Sequence, residues 1–266
     1  MTFTKRLIPD IKSYIGYAYY SARASLKTEV AGSYLNWIWW ILEPFCLMLI
    51  YAFIFGVVFD ARELYFPAFI FVGLAAWQFF NNSVKSSIRI VKKEKSILSK
   101  VYVPKYILLI SKMMINGFKM LISFLIVVVL IIFFKIPLSW NILYAPLMIL
   151  GILLFTFACM CFLAHFGVYV EDLENLVTIA LRLVFYMTGI MFNIRTRIGG
   201  PHPTLAFILG KCNPMAYYIT GLRDCVLYSQ APELSVMIFW YVTSILLSIL
   251  GIRLIYKNEN SYIKVV

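Results

Sequence analysis

The sequence predicts an all-α integral membrane protein: one transmembrane domain over residues 1–266, with six transmembrane helices. Three observations lead there. Mean hydropathy is +0.86, and charged residues make up 14% of the chain. A soluble domain carries about 25% charged residues. Long apolar runs recur along the sequence, most of them near or above the roughly 20 residues that cross a hydrocarbon core.

The first element is not a span. Between 7 and 26 the apolar positions Ile8, Ile11, Ile15, Ala18, Ala22 and Leu26 follow a helical period, with Lys12, Arg23 and Lys27 offset from them. That is the pattern of an amphipathic helix lying in the membrane interface, and residues 1–33 are assigned to the cytoplasmic face. Pro9, Asp10 and Lys12 follow Lys5 and Arg6 where a cleavable signal would place a short apolar core, so the first span serves as the insertion signal. Spans are expected at 37–59, with Glu43 and Pro44 inside it, then at 66–82, 107–134, 142–170, 176–194 and 234–255. Between the last two, Gly199, Gly200, Pro201 and Pro203 break the segment 195–230. The stretches 205–209 and 215–227 then read as short helices that dip into the membrane without crossing it. Backbone at that depth is buried in protein or lines a wet cavity.

Residues 85–105, KSSIRIVKKEKSILSKVYVPK, sit between the second and third spans and hold seven Lys/Arg against one acid, Glu94. Ile90, Val91, Ile97, Leu98 and Val101 recur at helical spacing among the lysines, which predicts a short amphipathic helix ended by Pro104. Two readings stand: a solvated positive loop near anionic headgroups, or a docking element for a cytoplasmic partner. Basic residues also fix orientation. The segments placed inside hold fifteen Lys/Arg; those placed outside hold six, namely Arg62, Lys135, Arg195, Arg197, Lys211 and Arg223. Both termini are therefore expected in the cytoplasm of a multi-pass cell-membrane protein. The net charge of +12 collects at span ends, which is not the footprint of a nucleic-acid binder.

Chemistry-bearing motifs are sparse. The chain has no G-x-x-x-x-G-K-[ST] loop to cradle nucleotide phosphates, no nucleophile with a base, and no C-x-x-C pair. A bound cofactor or metal is not expected. Cys212 and Cys225 fall in the external segment, where a disulfide is chemically permitted. Ionisable residues inside spans are costly and draw functional attention. Glu43 reads either as a pathway carboxylate or as a partner for an interfacial lysine. Lys112, Asn116 and Lys119, at i, i+4 and i+7, share one helical face. They line a polar lumen if the third span begins near Lys105, and decorate an interfacial helix if it begins near Met120. Trp39 and Trp40 lie in an aromatic cluster suited either to an interfacial belt or to stacking on sugars.

The order of parts resembles the ABC-2 type permeases that export polysaccharides and teichoic acids, over nearly the whole chain. YLNWIWWILEP (34–44) with YAFIFGVVF (51–59) is similar to that family's first-span signature. FVGLAAWQFF (71–80) is similar to its second-span G-x-x-x-W, SILSKVYVPK (96–105) to its basic loop, and NPMAYYITGLRD (213–224) to its Asn-Pro motif with a downstream Arg. Departures are Asn36 where glycine is common, Glu171 before Asp172 where an Arg-Asp pair is common, and Gly189 after Thr188 where proline is common.

The resemblance implies a homodimer working with two copies of a separate cytoplasmic ATPase, which holds ATP and Mg. It implies a coupling helix carried by Lys92, Lys93, Glu94, Ile97, Leu98, Lys100 and Val101, and an external gate at Asn213, Pro214 and Arg223. Trp39, Trp40, Glu43, Lys112, Asn116 and Lys119 are then pathway candidates for a glycopolymer on a lipid carrier. The two lysines would suit an anionic polymer such as teichoic acid. Alternatives are an exporter of lipids or drugs from the same superfamily, and an integral-membrane glycolipid transferase built around Glu171, Asp172 and Glu174.

Overall fold

A helix that is apolar on every face needs neighbours on every side, and residues 66–77 form such a stretch. A computed structural model of the chain describes residues 3–31, 36–59 and 63–265; among these, the side chains of 3–5, 36, 260 and 263–265 are not described. Residues 32–35, the outside charge Arg62, and the side chains of Lys5, Asn36 and Lys264 thus lie outside the described residues. The described secondary structure is helical, without strands.

In order, α1 is Phe3–Ala31, and α2 (Asn36–Tyr51) continues into a π-helical stretch, Ala52–Val58. Then come α3 (Phe66–Ile88), α4 (Ile90–Lys93), α5 (Lys95–Leu98), α6 (Lys105–Phe133) and a 3-10 turn, Trp140–Tyr144, leading into α7 (Ala145–Tyr169). After α8 (Leu173–Met187) follow α9 (Ile194–Arg197), α10 (Pro203–Phe207) with a π-helical end, Ile208–Cys212, α11 (Pro214–Leu227) and α12 (Leu234–Val265).

The central column is α3, with every residue from Ala68 to Trp77 buried. Around it stand α2, α6, α7, α8 and α11, and α12 lies against α7. Lipid tails are as apolar as leucine, so close backbone approach and not hydrophobic exclusion holds such helices together. Small residues supply that approach. Ser244, Ser248 and Gly251 form one face of α12, and a Cβ at Gly251 would stand 2.6 Å from that of Cys161 on α7. Gly151 of α7 lies so close to the Tyr218 ring of α11 that no side chain fits between them, and Gly167 touches the last carbonyl of α3 in the same way.

Four helical segments are long and apolar enough to cross a membrane: Trp37–Val58, Lys105–Phe133, Trp140–Tyr169 and Leu234–Glu259. The other two expected spans fall short by that measure for different reasons. Polar Gln78, Asn81 and Asn82 interrupt α3, whereas α8 has only 15 residues. The expected fifth span stops at Met187, not 194, because Gly189 turns the chain with φ +67°. The expected basic helix is also different: α3 runs on to Ile88, and two single-turn helices follow before Pro104 caps α6. The sixth runs ten residues past its expected end at Ile255, to Val265.

Filling the glycine contact tests this packing. Gly151→Leu should lower the apparent melting temperature of the detergent-solubilised protein by several degrees, as overpacking of about 1–3 kcal/mol does. Gly16→Ala, where a Cβ meets open space, should leave it unchanged.

Candidate functional site

The basic stretch forms a knob with one face anchored and the other presented. Ile90, Val91 and Leu98 are buried, and pack with Ala18 of α1, Tyr106 and Ile107 of α6, Ala164 of α7 and Ile255 of α12. Ile97 is 39% exposed and Val101 58%. They share one side, since the Val101 amide donates to the Ile97 carbonyl at 3.0 Å. Lys93 and Lys100 are exposed around them, and Lys92 and Glu94 are half-buried. Of the seven coupling candidates, Leu98 therefore supports the knob from within, while Ile97 and Val101 form its apolar tip. At its root Arg89 pairs with Glu174 of α8 at 2.5 Å.

A polar cluster absent from the sequence-based candidates holds this knob in place. Glu259 of α12 is 5% exposed. It pairs with Arg6 of α1 at 3.0 Å and accepts a hydrogen bond from Tyr102 Oη at 3.0 Å. Arg6 also reaches Asp10 at 3.5 Å and contacts the Tyr102 hydroxyl; Tyr256 donates to Asp10 at 2.7 Å. Burial and the neighbouring Glu259 push the Tyr102 phenol well above its ordinary range, which keeps it a donor. Three elements far apart in sequence thus meet where the basic knob ends. The available signal was periodicity: Ile252, Ile255, Tyr256, Glu259 and Tyr262 continue one helical face past the predicted end of the sixth span.

The pathway candidates separate into two groups. Trp40, Glu43, Asn116 and Lys119 line a polar cavity of about 100 Å³ among α2, α3 and α6, together with Gln78 and Asn82. Asn116 donates to Ser83 Oγ at 3.0 Å. Lys119 is paired with Glu29 of α1 at 2.6 Å and sits 5.1 Å from the centre of the Trp40 ring. Its charge is thus already engaged, which weakens the case for guiding an anionic polymer. Lys112, half-buried on α6, and Trp39, exposed on α2, lie outside this cavity.

At the opposite end of the bundle the three gate candidates belong to one hydrogen-bonded unit. Asn213 caps α11 by accepting from the amides of Met215 and Ala216, while its amide group donates to Thr188 Oγ1 at 3.1 Å. Pro214 occupies the first turn of α11, where its missing N–H leaves nothing unsatisfied. Arg223, 2% exposed, lies 3.5 Å from the centre of the Phe69 ring. It donates from Nε to the Phe69 carbonyl at 2.9 Å, from Nη1 to Gly189 at 2.9 Å and from Nη2 to Ile190 at 2.8 Å. A Cβ at Gly73 would collide with that guanidinium, so the glycine makes its room. Asp224 meets Arg195 at 3.0 Å, and Glu63 accepts from Thr196 at 2.6 Å.

All five cysteines are free thiols, Cys212 exposed and Cys225 buried. Among the described residues no three His, Cys, Asp or Glu side chains are grouped to hold a metal.

Comparison with known proteins identifies the family. Residues 20–227, from within α1 to the end of α11, match the family model described as ABC-2 type transporter. An O-antigen export system permease protein, RfbA, of Myxococcus xanthus is 28% identical over 249 residues, covering 90% of this chain and 95% of that protein. A protein of the same name from Klebsiella pneumoniae is 26% identical over 244 residues, with 90% and 91% covered.

The Arg223 geometry makes a test independent of that likeness. A lysine carries its three N–H donors on one nitrogen and cannot reach three carbonyls that Arg223 serves from three separate nitrogens, so Arg223→Lys should destabilise the protein nearly as much as Arg223→Ala, each leaving buried carbonyls short of donors at about 1–3 kcal/mol apiece. Thermal unfolding followed by size-exclusion chromatography reads this. A lysine variant as stable as the parent would contradict it.

Proposed function

The chain belongs to the ABC-2 type transporter family, and from that premise we propose that it is the transmembrane subunit of an ATP-driven exporter that moves a lipid-linked polysaccharide outward across the cell membrane. The observation that carries this reading is the likeness, over 90% of the chain, to permease proteins of O-antigen export systems. Energy comes from a separate ATPase, which holds ATP and Mg on its own residues; this chain supplies the path and the joint.

In this reading α3 and α8 also cross the membrane, giving six spans with both termini and the basic knob in the cytoplasm. Two copies form a homodimer that engages two ATPases. Ile97 and Val101 enter an apolar recess of the ATPase, and Lys93 and Lys100 face acids at its rim. Closure of the ATPases pushes on that tip. Buried Ile90, Val91 and Leu98 carry the push to the inner ends of α6, α7 and α12, and the Arg89–Glu174 pair carries it to α8. The helices α2 and α8 then part to open a path, and the unit built on Asn213, Pro214 and Arg223 holds its outer end.

Lys119 bears on the cargo. With its ammonium bound to Glu29, it ties the interfacial helix to α6, and a largely neutral glycan fits this cavity better than a polyanionic teichoic acid. Glu43 and Asn116 remain as hydroxyl-binding groups beside the Trp40 ring, the combination that sugars favour.

The tip separates docking from folding. Ile97→Asp and Val101→Asp replace exposed side chains, so the protein should insert and purify normally while losing co-purification of the partner ATPase by about tenfold or more, the cost of burying an unpaired charge at an interface. Leu98→Asp should instead lower the yield of folded protein. Undiminished ATPase capture by both tip variants would refute docking through this knob.

A further inference from the structure

A groove of about 450 Å³ runs along the flank of the bundle between α7 and α8, with α3 as its floor and the Ile208–Cys212 stretch across one end. Along α8 it extends from Val177 to Met187, ten residues or roughly 15 Å. That is half of the roughly 30 Å hydrocarbon core, the depth of one leaflet. Its walls are hydrocarbon, with Phe80, Phe155, Leu163, Leu181 and Val184 as their main surfaces. Asn213, the one amide side chain in the lining, is already engaged in capping α11 and in donating to Thr188. Met187, Ile208 and Cys212 are exposed along the open side.

A second pocket, of about 490 Å³, adjoins the groove at its Met187 end. Because Glu174, at the start of α8, meets the root of the knob, this end of α8 is the one remote from the knob. Cys212 lines both spaces, and Phe155 of the groove meets Trp240 of the pocket edge to face at 6.2 Å. The pocket is chemically different from the groove. Lys211 pairs with Glu233 at 2.6 Å, and Phe207, Phe239 and Trp240 surround the pair. Trp240 donates from Nε1 to the Lys211 carbonyl at 2.9 Å, and the Lys211 ammonium stands 5.5 Å from the centre of the Phe207 ring, which holds the cation beside the mouth of the groove. Charges among aromatic rings at the start of a span are the composition of a headgroup level.

Depth and charge together select the occupant. A groove one leaflet deep, whose only amide is engaged, takes a hydrocarbon chain. The ion pair above it has a direction: Lys211 is next in the chain to Cys212 at the mouth of the groove, and Glu233 stands beyond it. A chain rising from the groove therefore brings its linking phosphate to Lys211 first, and the group that follows the phosphate meets Glu233. A primary ammonium there donates charge-assisted hydrogen bonds to the carboxylate. A glycerol headgroup offers no cation at that point, and a quaternary ammonium has no N–H to donate.

We propose that the groove and the pocket together bind one glycerophospholipid with an ethanolamine headgroup, drawn from the leaflet remote from the knob. One acyl chain lies in the groove between α7 and α8. The phosphate rests on Lys211 and on the hydroxyl of Ser235, exposed in the same pocket, and the ammonium rests on Glu233. The lipid fills the space between α8 and the Ile208–Cys212 stretch, and so braces α10 and α11 against the long helices. The site goes beyond the export reading and does not depend on the cargo.

The test is native mass spectrometry of the purified full chain after incubation with phosphatidylethanolamine, phosphatidylcholine or phosphatidylglycerol of identical acyl chains. The parent protein should retain the ethanolamine lipid over each of the other two by about fivefold, the scale of one exposed ion pair. Exchanging the pair, Lys211→Glu with Glu233→Lys, keeps the salt bridge and reverses its direction. The melting temperature should then hold while the preference disappears. Glu233→Gln, which removes only the acceptor of the ammonium, carries the same prediction if the exchanged protein unfolds. Ala180→Phe fills the groove from an exposed position on α8, and should lower retention of all three lipids by about fivefold or more. Arg253→Gln, an exposed position on α12, should change nothing. Equal retention of the three lipids by the parent, a preference for the glycerol headgroup, or an exchanged pair that still selects ethanolamine would overturn the site. So would a dimer that Ala180→Phe dissolves with lipid retention unchanged, which would assign the groove to a second copy of the chain.

Discussion

The architecture depends on one constraint: backbone that leaves helical geometry inside the bundle must still have its polar groups satisfied, and each one left bare there costs about 1–3 kcal/mol. Where α8 ends at Met187 the chain turns through Gly189, and the carbonyls of Gly189 and Ile190 point inward without helical partners. Arg223 answers both and reaches the Phe69 carbonyl as well. The guanidinium fork reaches all three at once, and Gly73 gives it space. The short helices α9 to α11 can therefore sit beside the central column as a fixed unit, capped by Asn193 and Asn213 and tied by Glu63 to the start of α3.

The same economy of charge appears at the other end. Basic residues crowd the knob at 89–105, and single acids hold it, Glu259 on Arg6 and Tyr102 and Glu174 on Arg89, while Glu29 on Lys119 joins α1 to α6. Each joins elements distant in sequence, so the first helix, the knob and the last helix behave as one collar around the inner ends of α6 and α7. A push on the exposed tip has a rigid route into the bundle because the opposite face of the knob is buried and its root is ion-paired to α8.

How much of this was legible in the sequence follows the physics of each feature. Apolar runs located the helices at 37–59, 107–134 and 142–170 to within a few residues, because hydrocarbon thickness and composition set them. The amphipathic period of the first helix was visible, yet it runs from Phe3 to Ala31, since offset charges cannot mark where capping ends it. The basic segment was recognised by charge, but its split into two single turns was not, because Ile97 and Val101 differ from Ile90 and Leu98 only in what packs on them. Lys119 drew notice as an intramembrane cation, and its partner Glu29 lies ninety residues away on another helix, a pairing that spacing cannot disclose. Arg223 stood out by its motif. Its three carbonyl partners come from two other segments, and only the fold brings them together.

The central claim is that energy enters through the knob, from a partner that binds this end and not the other. Photo-crosslinking from the native membrane reads it directly, with a photoreactive amino acid introduced at position 101 or at position 140, in the exposed turn between α6 and α7 at the far end of the bundle. The account predicts a covalent adduct between position 101 and a P-loop ATPase, and no such adduct from position 140. Adduct formation with the ATPase from position 140 and none from position 101 would contradict it.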